Sequence, residues 1–292
     1  MQIRSQGLRE LCGLLGYSSQ AYYQYNRHTE KRTFKQEELI QQVLAHRRLQ
    51  PRLGARKLLE LMQPEMGRDA FFELLRENGL LVRRKRYRVR TTFSTHRFRK
   101  YSDLTDDLVT ERAGQLWVSD ITYIRVGRDF AYLSLVTDAY SRKIIGFCLS
   151  HDLSTDSCLS ALRMALASRL RTDQPLVHHS DRGTQYCSQA YTGLLNKKGI
   201  AISMTQSGNP RDNAIAERVN GILKMELLKE NYDNINTAYK SVKQAINIYN
   251  TLRPHSSLDM LTPEKAHQKT GQLKRRWRNY YPAGEMEVSM DG

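Results

Sequence analysis

Asp120, Asp181 and Glu217 are the residues of this 292-residue chain whose types and spacing best suit chemistry. Asp120 lies inside QLWVSDITYI (115–124), beside Trp117, Val118, Ile121 and Ile124. A carboxylate amid an apolar strand is unfavourable unless something claims it. Asp181 closes PLVHHSD (175–181) just before the Gly183 turn, and Glu217 lies in DNAIAERVNGILKMELL (212–228), whose apolar residues have helical spacing. The intervals are 61 and 36 residues. Two aspartates on strands and a glutamate on a later helix suit phosphoryl transfer driven by two divalent cations. Such ions, about 3.5–4 Å apart, activate an oxygen nucleophile and neutralise the leaving oxygen. Hard carboxylate oxygens favour Mg²⁺, with Mn²⁺ as a substitute, and a pair of ions is expected. Asp181 also suits a plain turn residue. His179, next to His178, is an auxiliary candidate for proton transfer or metal binding, although paired strand histidines are more often structural.

These carboxylates must be carried by rigid elements. Ile215, Val219 and Ile222 form an apolar stripe on a helix predicted over 212–230. Asn213, Glu217, Asn220 and Lys224 form a separate polar one. Asn213 and Asn220 are candidates to hold Glu217 or a water, Asn213 and Arg211 also to contact DNA, and Lys224 to grip a DNA phosphate as a point charge. The loop QSGNPRDN (206–213), which includes Arg211, has the composition of an active-site flap. Upstream, segments 115–127, 130–140 and 143–150 are rich in β-branched and aromatic residues with tight breaks between them, which predicts an antiparallel meander. A helix over 155–170, a strand over 175–180, a helix over 188–198 and a strand over 200–204 follow. The order βββαβαβα is the plan of a ribonuclease-H-like mixed sheet with helices on both sides, in which the first and fourth strands are neighbours.

The front of the chain has a different character. Residues 1–100 hold 22 Lys/Arg against 9 Asp/Glu, whereas the rest hold 24 against 21. A field of that kind attracts phosphates. Residues 8–25 read as two short helices broken at Gly16-Tyr17, with Ser18 or Ser19 capping the second. Residues 51–62 and 68–80 read as another pair. Two helix-turn-helix-like units followed by a basic arm point to duplex DNA. The arm candidates are Arg83, Arg84, Lys85, Arg86, Arg88, Arg90, Arg97, Arg99 and Lys100, interleaved with aromatic rings. The expected organisation is a first helix-turn-helix-like segment over 1–45, a second over 46–82, a basic arm or linker over 83–112, the catalytic core over 113–270 and a tail over 271–292.

The motifs WVSDITYI, HHSDRGTQY, SGNPRDNAIAERVNGILKMEL and YNTLRPHSSLDMLTP, in that order, resemble the OrfB-type transposases of the insertion-sequence-3 family, relatives of retroviral integrase. The resemblance covers about residues 8–268. It implies an integrase-type core with a DDE triad, in which Asp120 and Asp181 match the two aspartates and Glu217 the glutamate, with 35 residues between the last two. Lys224 matches the lysine seven residues on, and upstream helix-turn-helix segments are what the family carries. Arg211 departs from the uncharged residue usual there. The HHCC zinc domain of retroviral integrases is absent from the pattern, so no zinc is expected. The family also implies a first-reading-frame partner protein joined by frameshifting; with no leading heptad run, this chain reads as the second-frame product.

The expected function is that of a bacterial DNA transposase binding terminal inverted repeats and catalysing metal-dependent strand cleavage and transfer, as a homo-oligomer bridging two ends in a synaptic complex. Two rivals stand beside it: a non-catalytic DNA-binding modulator of a fused transposase, and a ribonuclease-H-like nuclease acting on RNA–DNA hybrids. Four scattered cysteines without a CxxC pair, and no long apolar run or signal-peptide core, point to a cytoplasmic, nucleoid-associated protein with no membrane role.

Overall fold

Residues 5–82, 98–105, 108–169, 173–206 and 213–274 are described by the computed structural model of the chain. The chain divides into two compact units, Met1–Arg83 and Arg84–Gly292.

In the first unit α1 (Ser5–Leu14) ends in a turn in which Gly16 takes φ +77°, a left-handed conformation that costs glycine nothing. Ser18 then caps α2 (Ser19–Leu49), its Oγ accepting the Ala21 N–H at 3.1 Å. The predicted break is therefore present, but the helix after it runs for 31 residues instead of stopping near 25. No glycine or proline interrupts residues 19–49, and good helix formers dominate the second half, so nothing ends the helix before Pro51. The boundary expected between 45 and 46 thus falls inside α2. The second predicted pair is α3 (Ala55–Met62) and α4 (Arg68–Glu77). Leu39 and Val43 of α2 pack with Leu53, Leu58, Phe71, Leu74 and Leu75 into one small core.

The second unit is built on a five-stranded sheet of order β3-β2-β1-β4-β5. β1 (Leu116–Val126), β2 (Asp129–Asp138) and β3 (Ile144–Ser150) form the predicted antiparallel meander. Next come α5 (Thr155–Ala167), β4 (Val177–Ser180), the short α6 (Thr184–Cys187), α7 (Gln189–Lys197) and β5 (Ala201–Met204). β4 lies parallel between β1 and β5, with Trp117 opposite His178 and Val118 opposite His179. This is the ribonuclease-H-like arrangement. One face of the sheet, with Trp117 and Val136, packs on Leu162 of α5 and Tyr191 of α7. The other, with Ile124 and Leu135, meets α8 (Ala214–Ile222) and α9 (Ile235–Thr251) through Val219 and Tyr249. A short α10 (Pro263–His267) closes the described fold. Among the described residues no helix is long and apolar enough to cross a membrane.

The helix predicted over 212–230 is regular only to Ile222. Residues Leu223–Leu227 form a π-helical turn in which the Leu228 N–H donates to the Leu223 carbonyl at 2.8 Å. Such widened turns recur at functional sites. Here the extra residue lets Leu223 enter the core while Lys224 and Glu226 reach two different partners.

Gly146 on β3 allows α5 to lie directly on the sheet, because a Cβ there would collide with the Ala161 carbonyl and crowd the Ala165 amide. Both obstacles are backbone and cannot swing aside. Gly146→Ala is expected to destabilise this unit by about 1–3 kcal/mol, as overpacked cores do, visible as a lower thermal midpoint by circular dichroism. An unchanged midpoint would show that the helix slides without cost.

Candidate active site

The pleat of β1 sends Leu116, Val118, Asp120, Thr122 and Ile124 toward α8, alternate residues sharing one face. α8 crosses above them in the same direction, so its polar residues meet the strand in register. Asn220 Nδ2 donates to Asp120 Oδ2 at 2.8 Å, and the Ile121 N–H donates to Asp120 Oδ1 at 2.9 Å. Two residues beyond His179, Asp181 leaves β4 on the same side. Its Oδ1 accepts the Gly183 N–H at 3.0 Å, so it serves as a turn residue as well. A Cβ at Gly183 would lie 3.0 Å from that same oxygen and would crowd the Asp181 carboxylate.

Burial, and next the Asp181 charge, push the Asp120 carboxyl up to about 7; Glu217 adds a smaller repulsion. Asp138 on β2 shows that burial of a carboxylate need not leave it wanting. Its oxygens take hydrogen bonds from the Gly114 N–H, the Ser141 N–H and the Ser141 hydroxyl, all at 2.7–2.8 Å. Asp120 instead accepts from the Ile121 N–H and the Asn220 amide and faces two further acids. Glu217 stands exposed in the first turn of α8, and desolvation holds it above the usual carboxylate range.

A stability signature follows. The folded Asp120 binds its proton more tightly than the unfolded one, whose pKa is about 3.9. Its contribution to the stability of the metal-free protein therefore declines as pH rises from about 4 to 7, then levels off. Asp120→Asn is expected to stabilise that form at pH 8 by about 1–3 kcal/mol, discounted for partial exposure, and by nothing at pH 3. Urea unfolding in a chelator would measure this; parallel wild-type and variant pH profiles would refute it.

Lys224 does not stretch into solvent. Its Nζ donates to Thr122 Oγ1 at 3.1 Å and lies 4.0 Å from the Tyr123 ring centroid. Burial lowers its pKa while Asp120 opposes that shift. Asn213, expected at the DNA, is turned inward: its Nδ2 donates to the Ser119 carbonyl at 3.0 Å, fastening the start of α8 to β1. Asn220 holds Asp120, where the sequence suggested Glu217 or a water. His179 is buried, its Nδ1 2.8 Å from Ser203 Oγ, which donates on to Asp103 at 3.3 Å. That network ties segment 98–105 to the sheet and accounts for His179 structurally. His178 points to the opposite face, with Nε2 2.8 Å from Ser119 Oγ and 3.0 Å from the Tyr191 hydroxyl; burial pulls its pKa down to about 3. Of the arm candidates, Arg99 lies over the Tyr101 ring at 5.1 Å and Lys100 is exposed. Arg83, Arg84, Lys85, Arg86, Arg88, Arg90, Arg97 and Arg211 lie outside the described residues, as do 207–212 of the flap and the tail beyond 274.

Among the described residues no three His, Cys, Asp or Glu side chains already form a metal cage. The donors nonetheless fit a divalent cation: hard oxygens only, two carboxylates in mutual repulsion, and a third acid on the adjoining helix. One residue pair escaped the sequence reading. Arg253 of RPHSSL is buried and grips Glu226 of the π turn, Nη2 to Oε1 at 2.7 Å and Nε to Oε2 at 2.8 Å. Its position beside Pro254, past a helix end, gave no local hint of a partner 27 residues back.

Two family models, both described as integrase core domain, match residues 110–210 and 198–263. An uncharacterized 31 kDa protein of insertion element IS600 from Shigella sonnei is 32% identical over 270 residues, covering 88% of this chain and 99% of that protein. Transposase InsF of insertion sequence IS3A from Escherichia coli K12 is 32% identical over 198 residues, 67% of this chain and 68% of its own. Among solved structures, the catalytic core domain of HTLV-2 integrase in complex with magnesium aligns with a TM-score of 0.43 at 17% identity, covering 55% of this chain and 99% of that one.

Proposed function

The chain belongs to the integrase-core transposases of insertion sequences, the insertion-sequence-3 type, and we propose that its Asp120, Asp181 and Glu217 carry out metal-dependent DNA strand cleavage and transfer at element ends. It is a DDE-type polynucleotidyl transferase. The observation that carries the site assignment is the pairing of Asp120 on β1 with Asp181 just past the end of the neighbouring parallel β4, beside a helix bearing a third acid.

Bound at these acids, two divalent ions such as Mg²⁺ would supply Lewis acidity at both ends of an in-line displacement. The chain's own groups do the rest. Asp120 and Asp181 hold position because strand, turn and Asn220 fix their oxygens. Glu217 completes the set from α8. Lys224, poised between Thr122 and Tyr123, offers an ammonium to the phosphate beside the scissile bond. The basic arm and the helical first unit give salt-sensitive affinity and recognition of the terminal repeats. The working species is a homo-oligomer bridging two ends on nucleoid DNA in the cytoplasm, with a first-frame protein as a further partner.

The test is strand joining by the purified chain, alone and fused to its first-frame partner, on labelled duplexes carrying the element's ends. Joined products are expected with Mg²⁺ or Mn²⁺ and none with a chelator. If neither form joins strands under either metal while both bind the ends, the chain is a modulator and the catalytic reading falls.

A further inference from the structure

A cavity of about 830 Å³, within the range typical of ligand pockets (roughly 300–1,000 Å³), is lined by residues two positions before each aspartate and by the start of α8. Its floor is the same sheet face that carries the acids: Leu116 and Val118 precede Asp120 on β1, and His179 precedes Asp181 at the end of β4. The strand rise puts Val118 and His179 about 6.6 Å from those aspartates, two residues at about 3.3 Å each. Ile215 and Asn213 at the start of α8 form the roof. The exposed Lys274 stands in the wall and brings positive charge to it.

One atom in this cavity lacks what it needs. Asn213 is 7% exposed, and its Nδ2 is committed to the Ser119 carbonyl. Its Oδ1 is buried with no hydrogen-bond partner among the described residues. A buried acceptor left unmade is costly, so the site calls for a ligand that donates an N–H or O–H there while covering leucine, valine and isoleucine. A flat aromatic ring with an amino group on its edge meets both demands, and adenine, cytosine and guanine carry such groups.

We infer that this cavity receives one unstacked nucleobase from the nucleotide adjoining the scissile phosphate, its amino group donating to Asn213 Oδ1. The inference rests on the proposed strand-transfer reading, since the carboxylates fix where the phosphate lies. Enzymes acting on DNA commonly extrude a nucleotide into a pocket, and unstacking costs least at a mismatch or a frayed position. Drawing one base aside would hold the strand in register across Asp120 and Asp181 without any contact to the remaining bases.

The experiment uses the full chain and end duplexes with 2-aminopurine, itself an amino-bearing base, placed in turn at positions flanking the cleaved bond. Binding is expected to raise fluorescence at least about two-fold at one position and not at its neighbours, as unstacking requires. Leu108→Trp and Thr110→Trp fill the cavity from a segment that lines it. In either variant that still binds DNA as the wild type does, the rise is expected to vanish. No brightening at any position, or brightening that persists in both variants, overturns the inference. Strand joining measured in parallel separates the two ideas: brightening without joining leaves the cavity and removes the catalytic reading, whereas joining without brightening removes the cavity alone.

Discussion

Asp120→Asn, Asp181→Asn and Glu217→Gln will each lower strand joining by about 10³-fold or more while leaving end binding within two- to three-fold. The amides keep the shape of the acids, so α8 and β1 stay packed; what disappears is the negative charge that holds a cation. Asp120 shows why the loss is steep. Burial and Asp181 already raise its affinity for a proton, so its charged form must be compensated by a bound cation. The three acids act as one unit, and double variants are therefore expected to be no worse than the most damaging single one. The assay is single-turnover joining on preformed end complexes, with gel-shift affinity as the companion measurement. Activity within ten-fold of wild type in Asp120→Asn would remove the carboxylate pair from the mechanism. A parallel loss of joining and of binding would instead make the acids structural.

The fold was largely legible because its signals are local. β-branched runs with tight breaks define the meander, and the order of elements then fixes β4 beside β1. Asp120 stood out as a candidate for the same reason, since a carboxylate among Trp117, Val118 and Ile121 has no local use, whereas Asp181 has a local use as a turn residue. What stayed hidden depends on contacts far apart in sequence. Helical spacing assigned Asn213, Asn220 and Lys224 to one stripe but could not say that their partners were Ser119, Asp120 and Thr122, about a hundred residues earlier. Adjacent histidines looked alike, yet the period of two sends His178 to Ser119 and Tyr191 and His179 to Ser203 on the other face. α2 ran on because a helix stops only at a breaker or a cap, and none occurs before Pro51. The π turn was hidden because its cause is tertiary: Leu223, Lys224 and Glu226 each answer to a different neighbour.

The last of those neighbours sets the second large effect. Arg253→Ala is expected to destabilise the catalytic unit by about 3–5 kcal/mol, because it strands Glu226 where its charge was paired. Arg253 is only 3% exposed in its side chain, and its guanidinium meets both Glu226 oxygens while Nη1 lies 2.9 Å from His255 Nε2. Lysine is no substitute, since an ammonium cannot span the two oxygens of a carboxylate in the same plane. Arg253→Lys should therefore recover less than half of the lost stability. The pair joins the end of α9 to the turn that follows α8, so it also fixes the helix bearing Glu217 and Asn220. At a temperature where Arg253→Ala is still folded, joining should fall by about ten-fold, as a misplacement near 1 Å is enough to cost more than that. Combining Arg253→Ala with Glu226→Ala removes the stranded charge and should restore part of the stability but not the joining. Equal recovery of both would mean that the clamp contributes stability alone, with α8 held by Asn213 and Asn220.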